Sequence, residues 1–141
     1  MQKGFSYKSK LTTIPGTSFD EVYSEAFYFY KKLKSKTRRK PYVRSVYFKK
    51  DKVFLELFWN HLFEKLNWRD RLRRLKFFPC AIDLIKNSRQ KPIIKENPNN
   101  KSEILYRFKG ISKDNEEFFV QIKQGKNSNK KWFISVFPDK K

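Results

Sequence analysis

Glu103-Ile-Leu-Tyr-Arg-Phe-Lys-Gly110, Phe118-Phe-Val-Gln-Ile-Lys123 and Trp132-Phe-Ile-Ser-Val-Phe-Pro138 contain three short apolar runs, joined by polar connections rich in Gly, Asn, Asp and Ser. That pattern predicts a three-stranded antiparallel sheet. Side chains alternate faces along a strand, so strict period two puts Ile104/Tyr106/Phe108, Phe118/Val120/Ile122 and Trp132/Ile134/Val136 on one face. This face is apolar apart from a phenol and an indole NH, and helices must cover it. The opposite face would carry Leu105/Arg107, Phe119/Gln121/Lys123 and Phe133/Ser135/Phe137. Aromatic planes interleaved with cations and hydrogen-bonding groups suit a single-stranded nucleic acid better than bare solvent.

The covering helices come from the first hundred residues. After a basic lead-in with β character at 10–14, Pro15-Gly16 breaks the chain, and Ser18-x-x-Glu21 is a capping box that starts a helix. Phe19, Val22, Tyr23, Ala26, Phe27, Tyr30 and Leu33 give that helix one apolar stripe. It runs into a cationic tail, residues 31–40, with more positive charge than a helix C-terminus needs, and Arg38 and Arg39 within it are expected to contact phosphates. Tyr42–Phe48 is strand-like and carries Arg44. The stretch 53–66 is expected to be helix from its length and from the spacing of Val53, Leu57, Phe58, His61, Leu62 and Lys65. Its aromatic-rich first half could instead pair as a hairpin with Tyr42–Phe48. A further helix follows over 68–78, with Arg69, Arg71, Arg73, Arg74 and Lys76 on its outer surface. Pro79 then marks either a kink or the first turn of a helix over 79–87. Ile93-Ile94 could form a short strand inside a loop over 88–102. The expected architecture is a single α+β domain, with N-terminal helices packed on one face of a small antiparallel sheet of about four strands. Residues 1–50 would form a basic helix and arm, and residues 53–138 the helices and sheet.

Charge is the loudest compositional feature. The 141 residues hold 34 Lys and Arg against 14 Asp and Glu, a formal net charge of +20. Self-repulsion on that scale implies a polyanionic partner, and nucleic acid leads that class. A Lys-rich genome composition would account for part of the excess. No stretch of about twenty apolar residues points to a membrane span. The aromatic content, 18% with 15 Phe, argues against disorder. The single cysteine, Cys80, excludes an internal disulfide and a cysteine-cluster zinc site, and fits a buried apolar residue of a cytoplasmic protein.

No phosphate-binding glycine loop, His pair at metal-ligand spacing, catalytic acid pair or nucleophile elbow is present in the sequence, so neither metal nor cofactor is expected. What remains, cations, hydroxyls and one His, can cleave RNA without metal. The substrate's own 2′-hydroxyl is the nucleophile, and the protein supplies proton transfer and charge stabilisation. His61 is the candidate base or acid, since imidazole ordinarily titrates near neutrality. Arg107 and Lys123 are candidates for charge stabilisation, and Ser135 for a bond to phosphate. Arg38, Arg39, Arg44, Arg69, Arg71, Arg73 and Lys76 are candidate phosphate contacts, with Phe119, Gln121 and Phe133 contacting bases. Each has a plainer alternative: His61 as a structural residue between apolar neighbours, Arg107 stacked on its own aromatics, Ser135 chosen for packing, and the helix arginines merely solvated.

The order of a helical basic part followed by the three quoted runs resembles the barnase/EndoU/colicin/RelE-like group of small ribonucleases, its phage-type members in particular. The likeness covers about residues 53–138. His61 on a helix, Pro92 before the sheet and Ser135 in the final strand match that group's polar marks. The resemblance implies metal-independent RNA cleavage or, in degenerate members, RNA binding alone. It also implies a toxin or mobile-element product, with a neutralising acidic protein as a further partner. With one His in the chain, Arg and Lys would carry most of the electrostatic work, as in the RelE-like variant. The alternative function is a non-catalytic RNA- or DNA-binding accessory protein using the same face.

Overall fold

The computed structural model describes residues 6–64 and 67–139. In chain order the elements are β1 (Ser6–Lys8), α1 (Phe19–Lys34), β2 (Tyr42–Ser45), β3 (Asp51–Phe54), α2 (Glu56–Phe63), α3 (Trp68–Lys76), α4 (Phe78–Asn87), β4 (Ile93–Asn97), β5 (Asn100–Ile111), β6 (Glu117–Gly125) and β7 (Lys131–Pro138). The α+β class holds, but the sheet is not the small antiparallel one expected. It has seven strands in the order β1-β5-β6-β7-β3-β2, with β4 also paired to β5, and it is mixed. β1 runs parallel to β5 and β3 parallel to β7, while the other pairings are antiparallel. β1 and β4 share one edge of β5 end to end, β4 on 100–107 and β1 on Lys109–Ile111.

The extra strands are short, three to five residues each, and two of their pairings join segments far apart in sequence. Period-two patterning has little to register over such lengths. Of the described residues before position 51, Ser6–Lys8 and Tyr42–Ser45 are therefore sheet strands, and α1 lies between them in sequence, rather than a helix and arm beside the sheet. The expected helix over 53–66 is divided at Leu55: Asp51–Phe54 forms the hairpin with β2, and helix begins at Glu56. Lys65 and Leu66, the end of that expected helix, lie outside the described residues. In the hairpin turn, Lys49 and Lys50 take positive φ, 57° and 71°.

Local chemistry accounts for the helix starts. Ser18 Oγ accepts from Glu21 N at the head of α1, Asn67 Oδ1 accepts from Arg69 N at the head of α3, and Pro79 sits in the first turn of α4, where its missing N–H costs nothing. The core lies between the helices and one sheet face. Phe58, Phe78, Phe118 and Phe133 are fully buried, and Phe58 stacks on Phe133 with centroids 4.8 Å apart and planes 6° from parallel. Each such burial is worth about 1.5–3 kcal/mol. α4 approaches β5 at Gly110, where a Cβ would fall 2.6 Å from Phe118 Cζ and 2.8 Å from Leu84 Cδ1.

Residues 8–14 are laced between α3, α4 and the β5–β6 turn. Ser9 N donates to Ile111 O, Lys113 N to Leu11 O and Ile14 N to Lys76 O. Asp83 is the knot: its Oδ2 accepts from Tyr7 Oη (3.1 Å), Ser9 Oγ (2.8 Å) and Lys10 N (3.1 Å), and its Oδ1 from Asn87 Nδ2 (2.8 Å). Burial alone would raise the Asp83 carboxyl, but these donors outweigh it and hold it below the ordinary carboxylate range. Burial and then the Asp83 charge push the Tyr7 phenol up to about 12. Among the described residues, no helix is long and apolar enough to cross a membrane.

Candidate functional site

A β-bulge in β7 builds the site. Gln121 pairs with Ser135, yet the next residue of β6, Ile122, pairs with Phe133, which leaves Ile134 as the extra residue. Strict alternation fails there. Before the bulge Phe133 faces the core, and after it Val136 does. Two expectations change as a result. Phe133, assigned to the base-contacting face, is fully buried against Phe58, and Trp132, assigned to the core, is half-exposed on the outer face with Lys123 Nζ 5.6 Å from its ring centroid. The bulge also aims both Ile134 and Ser135 into one cleft.

This cleft, about 300 Å³, opens where α2 and α3 meet the part of β7 that β3 does not cover. Its polar lining is His61, Glu64, Arg74, Gln121 and Ser135, with Phe137 beside them. His61, in the last turn of α2, sets Nδ1 3.4 Å from Glu64 Oε1, one turn on, and its side chain remains 45% exposed. Arg74 is held at both ends of its fork: Nε donates to Asp70 Oδ2 at 3.1 Å on its own helix, and Nη1 to Ser135 Oγ at 3.0 Å across the cleft. Arg107 stands one residue back. Its Nε and Nη2 both donate to Gln121 Oε1, at 3.3 and 3.1 Å. The Arg74 and Arg107 guanidiniums lie 5.5 and 5.6 Å from the centroid of the Phe137 ring, and Phe119 packs against that ring at 5.6 Å. The arrangement concentrates two guanidiniums, a hydroxyl, an amide and an imidazole–carboxylate pair around a space of small-ligand size.

Of the sequence-derived candidates, His61 and Ser135 share the cleft, Gln121 lines it, and Arg107 and Phe119 support it. Lys123 does not join them. Its ammonium pairs with Glu103 at 3.3 Å on the adjoining strand and lies against Trp132, both away from the cleft lining. Arg69, Arg73 and Lys76 line a separate cavity with Gly16 and Trp68, and Arg73 also pairs with Asp70. Arg71 lies over the Phe63 ring. Arg38 and Arg39 line a third cavity at the far end of the sheet, and Arg44 extends from β2 over Tyr42.

Arg74 and Glu64 are the cleft residues that sequence reasoning passed over as site residues. Both carried a usable signal: Asp70 and Arg74 are spaced i, i+4, and His61 and Glu64 i, i+3, the intervals at which helical side chains meet. Among the described residues, no cluster of three or more His, Cys, Asp or Glu could hold a metal ion. No family model, curated protein or solved structure matches the chain.

Proposed function

We propose that the chain is an RNA-directed, metal-independent endoribonuclease whose reaction takes place in the cleft between α2, α3 and β7. The observation that carries this is the convergence there of His61, paired to Glu64, with Arg74, Ser135 and Gln121, and with Arg107 held on Gln121. A formal charge of +20 adds the polyanion preference.

The roles follow from the geometry. With Nδ1 turned to Glu64, Nε2 is the nitrogen through which His61 would take the proton of the 2′-hydroxyl, and the carboxylate would stabilise the imidazolium that results. The 2′-oxygen then bonds to phosphorus as the bond to the 5′-oxygen breaks; that oxygen takes a proton from water admitted by the open cleft, and the hydroxide so formed takes the proton back from the His61 imidazolium, which restores both. The products are a 2′,3′-cyclic phosphate and a 5′-hydroxyl end. Arg74 and Arg107 would stabilise the charge building on the phosphorane oxygens, and Ser135 and Gln121 would supply neutral hydrogen bonds. Phe137 and Phe119 offer planes for a flanking base.

A second function, binding without cleavage, draws support from the outer sheet face, whose aromatics and cations need no imidazole. The two separate on incubation of labelled single-stranded RNA with the protein in EDTA. Cyclic phosphate ends that disappear with His61→Ala and Arg74→Ala support the nuclease. Salt-sensitive binding with intact RNA supports the accessory protein and ends the catalytic proposal.

A further inference from the structure

The sheet carries a second basic cavity at its opposite end, about 740 Å³ in volume, between the loop following α1, the β2–β3 hairpin and the β6–β7 turn. Cations from all three segments line it, among them Arg38, Arg39, Lys52 and Lys130, and among the described residues no carboxylate does. Arg38 and Arg39 are exposed. A cluster of like charges with no acid among its walls is costly unless an anion of comparable extent fills it.

Strand register connects this cavity to the cleft. Tyr42 pairs with Phe54, Phe54 with Trp132 and Trp132 with Lys123, so three half-buried aromatics stand in one row across β2, β3 and β7 on the face turned from the core. Neighbouring strands are about 4.8 Å apart, so Tyr42 and Trp132 are separated by about 10 Å. From Trp132 the bulge leads to Ser135 and the cleft. Two cations, Lys52 Nζ at 4.7 Å and the Arg44 guanidinium at 5.5 Å, already lie by the Tyr42 ring centroid, against one, Lys123 Nζ at 5.6 Å, by that of Trp132, which makes Phe54 and Trp132 the more open planes for an incoming base.

We propose that the basic cavity and this aromatic row form a substrate-holding exosite, so that the preferred ligand is unpaired RNA of roughly four nucleotides or more, the lower end of what stacking grooves of this kind accommodate. Phosphates would sit on Arg38 and Arg39, and bases on Phe54 and Trp132, with the strand continuing into the cleft. A duplex, its bases stacked on one another, offers these planes nothing. The inference rests on the ribonuclease proposal for what happens in the cleft, but the holding function is measurable without cleavage.

The test is fluorescence anisotropy of labelled RNAs of two, four and eight nucleotides and of an eight-base-pair duplex, with the wild type, an Arg38→Ala/Arg39→Ala double variant, Trp132→Ala and Trp132→Leu. The expected result is affinity that rises with length and favours the single strand over the duplex. The double variant should flatten the slope of log affinity against log salt by about 1.4, from about 0.7 per lost phosphate contact on a single strand. Trp132→Ala should weaken eight-nucleotide binding roughly ten-fold. Trp132→Leu keeps the apolar bulk without the indole plane and should weaken it comparably, which separates stacking from a folding defect. Where the RNA is cleaved, the loss should fall on KM. Length-dependent single-strand binding that both sets of variants weaken, without any cleavage, would support the exosite while ending the nuclease proposal. Affinity indifferent to length, equal affinity for duplex, or variants that bind like wild type would overturn the exosite, whatever happens in the cleft.

Discussion

Arg74 donates from Nη1 to Ser135 Oγ at 3.0 Å, joining α3 to the bulged strand β7. Asp70 fixes the other side of the guanidinium at 3.1 Å, so the fork is oriented before any ligand arrives, and Phe137 lies along it at 5.5 Å. Preorganised donors of this kind stabilise developing charge without reorganising during the reaction. Arg74→Ala is expected to lower kcat for RNA cleavage by about 100- to 1000-fold. Arg74→Lys, which keeps the charge but not the planar fork, should recover only part of this. Ser135→Ala removes the charge-assisted bond that Ser135 Oγ accepts from Arg74 as well as the hydroxyl itself, while Asp70 still holds the guanidinium, and should cost about 10- to 100-fold. Single-turnover cleavage of a defined oligonucleotide measures all three, and a full-rate Arg74→Ala would remove it from the reaction.

His61 and Glu64, with Nδ1 and Oε1 3.4 Å apart, are the pair to which the proposed reaction gives proton transfer. Loss of a positioned general base typically costs about 10²–10⁴-fold, which is the expectation for His61→Ala. Glu64→Gln retains a hydrogen-bond acceptor but not the charge that would stabilise an imidazolium, so it should be slower than wild type and faster than His61→Ala. Both side chains are solvent-accessible, at 45% and 71%, so thermal midpoints should stay close to wild type. A large drop in midpoint would mean that His61 is structural.

The Asp83 knot predicts an acid-sensitive element of stability. Asp83 is held as a carboxylate by Ser9, Lys10, Asn87 and Tyr7, so its contribution is complete above the pKa of the unfolded chain's aspartate, about 4, and is lost as pH falls through the lower folded value. Asp83→Asn should cost about 1–3 kcal/mol at pH 7. The gap between variant and wild type should narrow in acid, as protonation of the unfolded chain's aspartate removes the advantage of holding Asp83 charged. Urea midpoints at pH 7 and pH 3 measure this, and a gap that does not shrink would place the effect in packing rather than charge.

Cys80 is fully buried at the head of α4, its thiol 3.3 Å from Leu11 O, and burial pushes its pKa up to about 12. A thiol so rarely ionised is a poor nucleophile. Ellman's reagent at pH 8 should react slowly with native protein and promptly, with one thiol per chain, in 6 M guanidinium. Rapid reaction of the folded protein would mean that residues 8–14 lift readily from α4.

The α+β class, the three long strands and the starts of α1 and α3 were legible because each has a local cause, alternating apolar residues over several positions or a capping side chain, while Pro79, read as either a kink or a first turn, proves to be the latter, and the start of α2 was misplaced by three residues. β1, β2 and β3 were harder to see as sheet members, because three or four residues hold little pattern and two of them pair with strands dozens of residues away. Half the cleft was legible for the same local reasons. His61 and Ser135 stood out as rare polar residues in apolar runs, whereas Arg74 was one arginine among several: Asp70 lies at helical spacing from both Arg73 and Arg74, and tertiary packing against Ser135 decides between them. The bulge is the clearest limit. One unpaired residue, Ile134, exchanges the faces of everything before it, and no alternation rule locates it in advance.

That exchange can be measured. Phe133 is fully buried and stacked on Phe58, so Phe133→Ala should destabilise the protein by about 3–5 kcal/mol, in the range of large aromatic truncations in cores. Trp132 is the larger side chain, yet it is only partly buried and lies on the outer sheet face, so Trp132→Ala should cost distinctly less. Strict alternation through β7 predicts the reverse order, with Trp132 in the core and Phe133 outside. Denaturant unfolding of the two variants therefore decides between a bulged and an unbulged β7. The larger loss at Phe133 requires the bulge that turns Ser135 toward Arg74, and the larger loss at Trp132 would remove that bulge and the cleft with it.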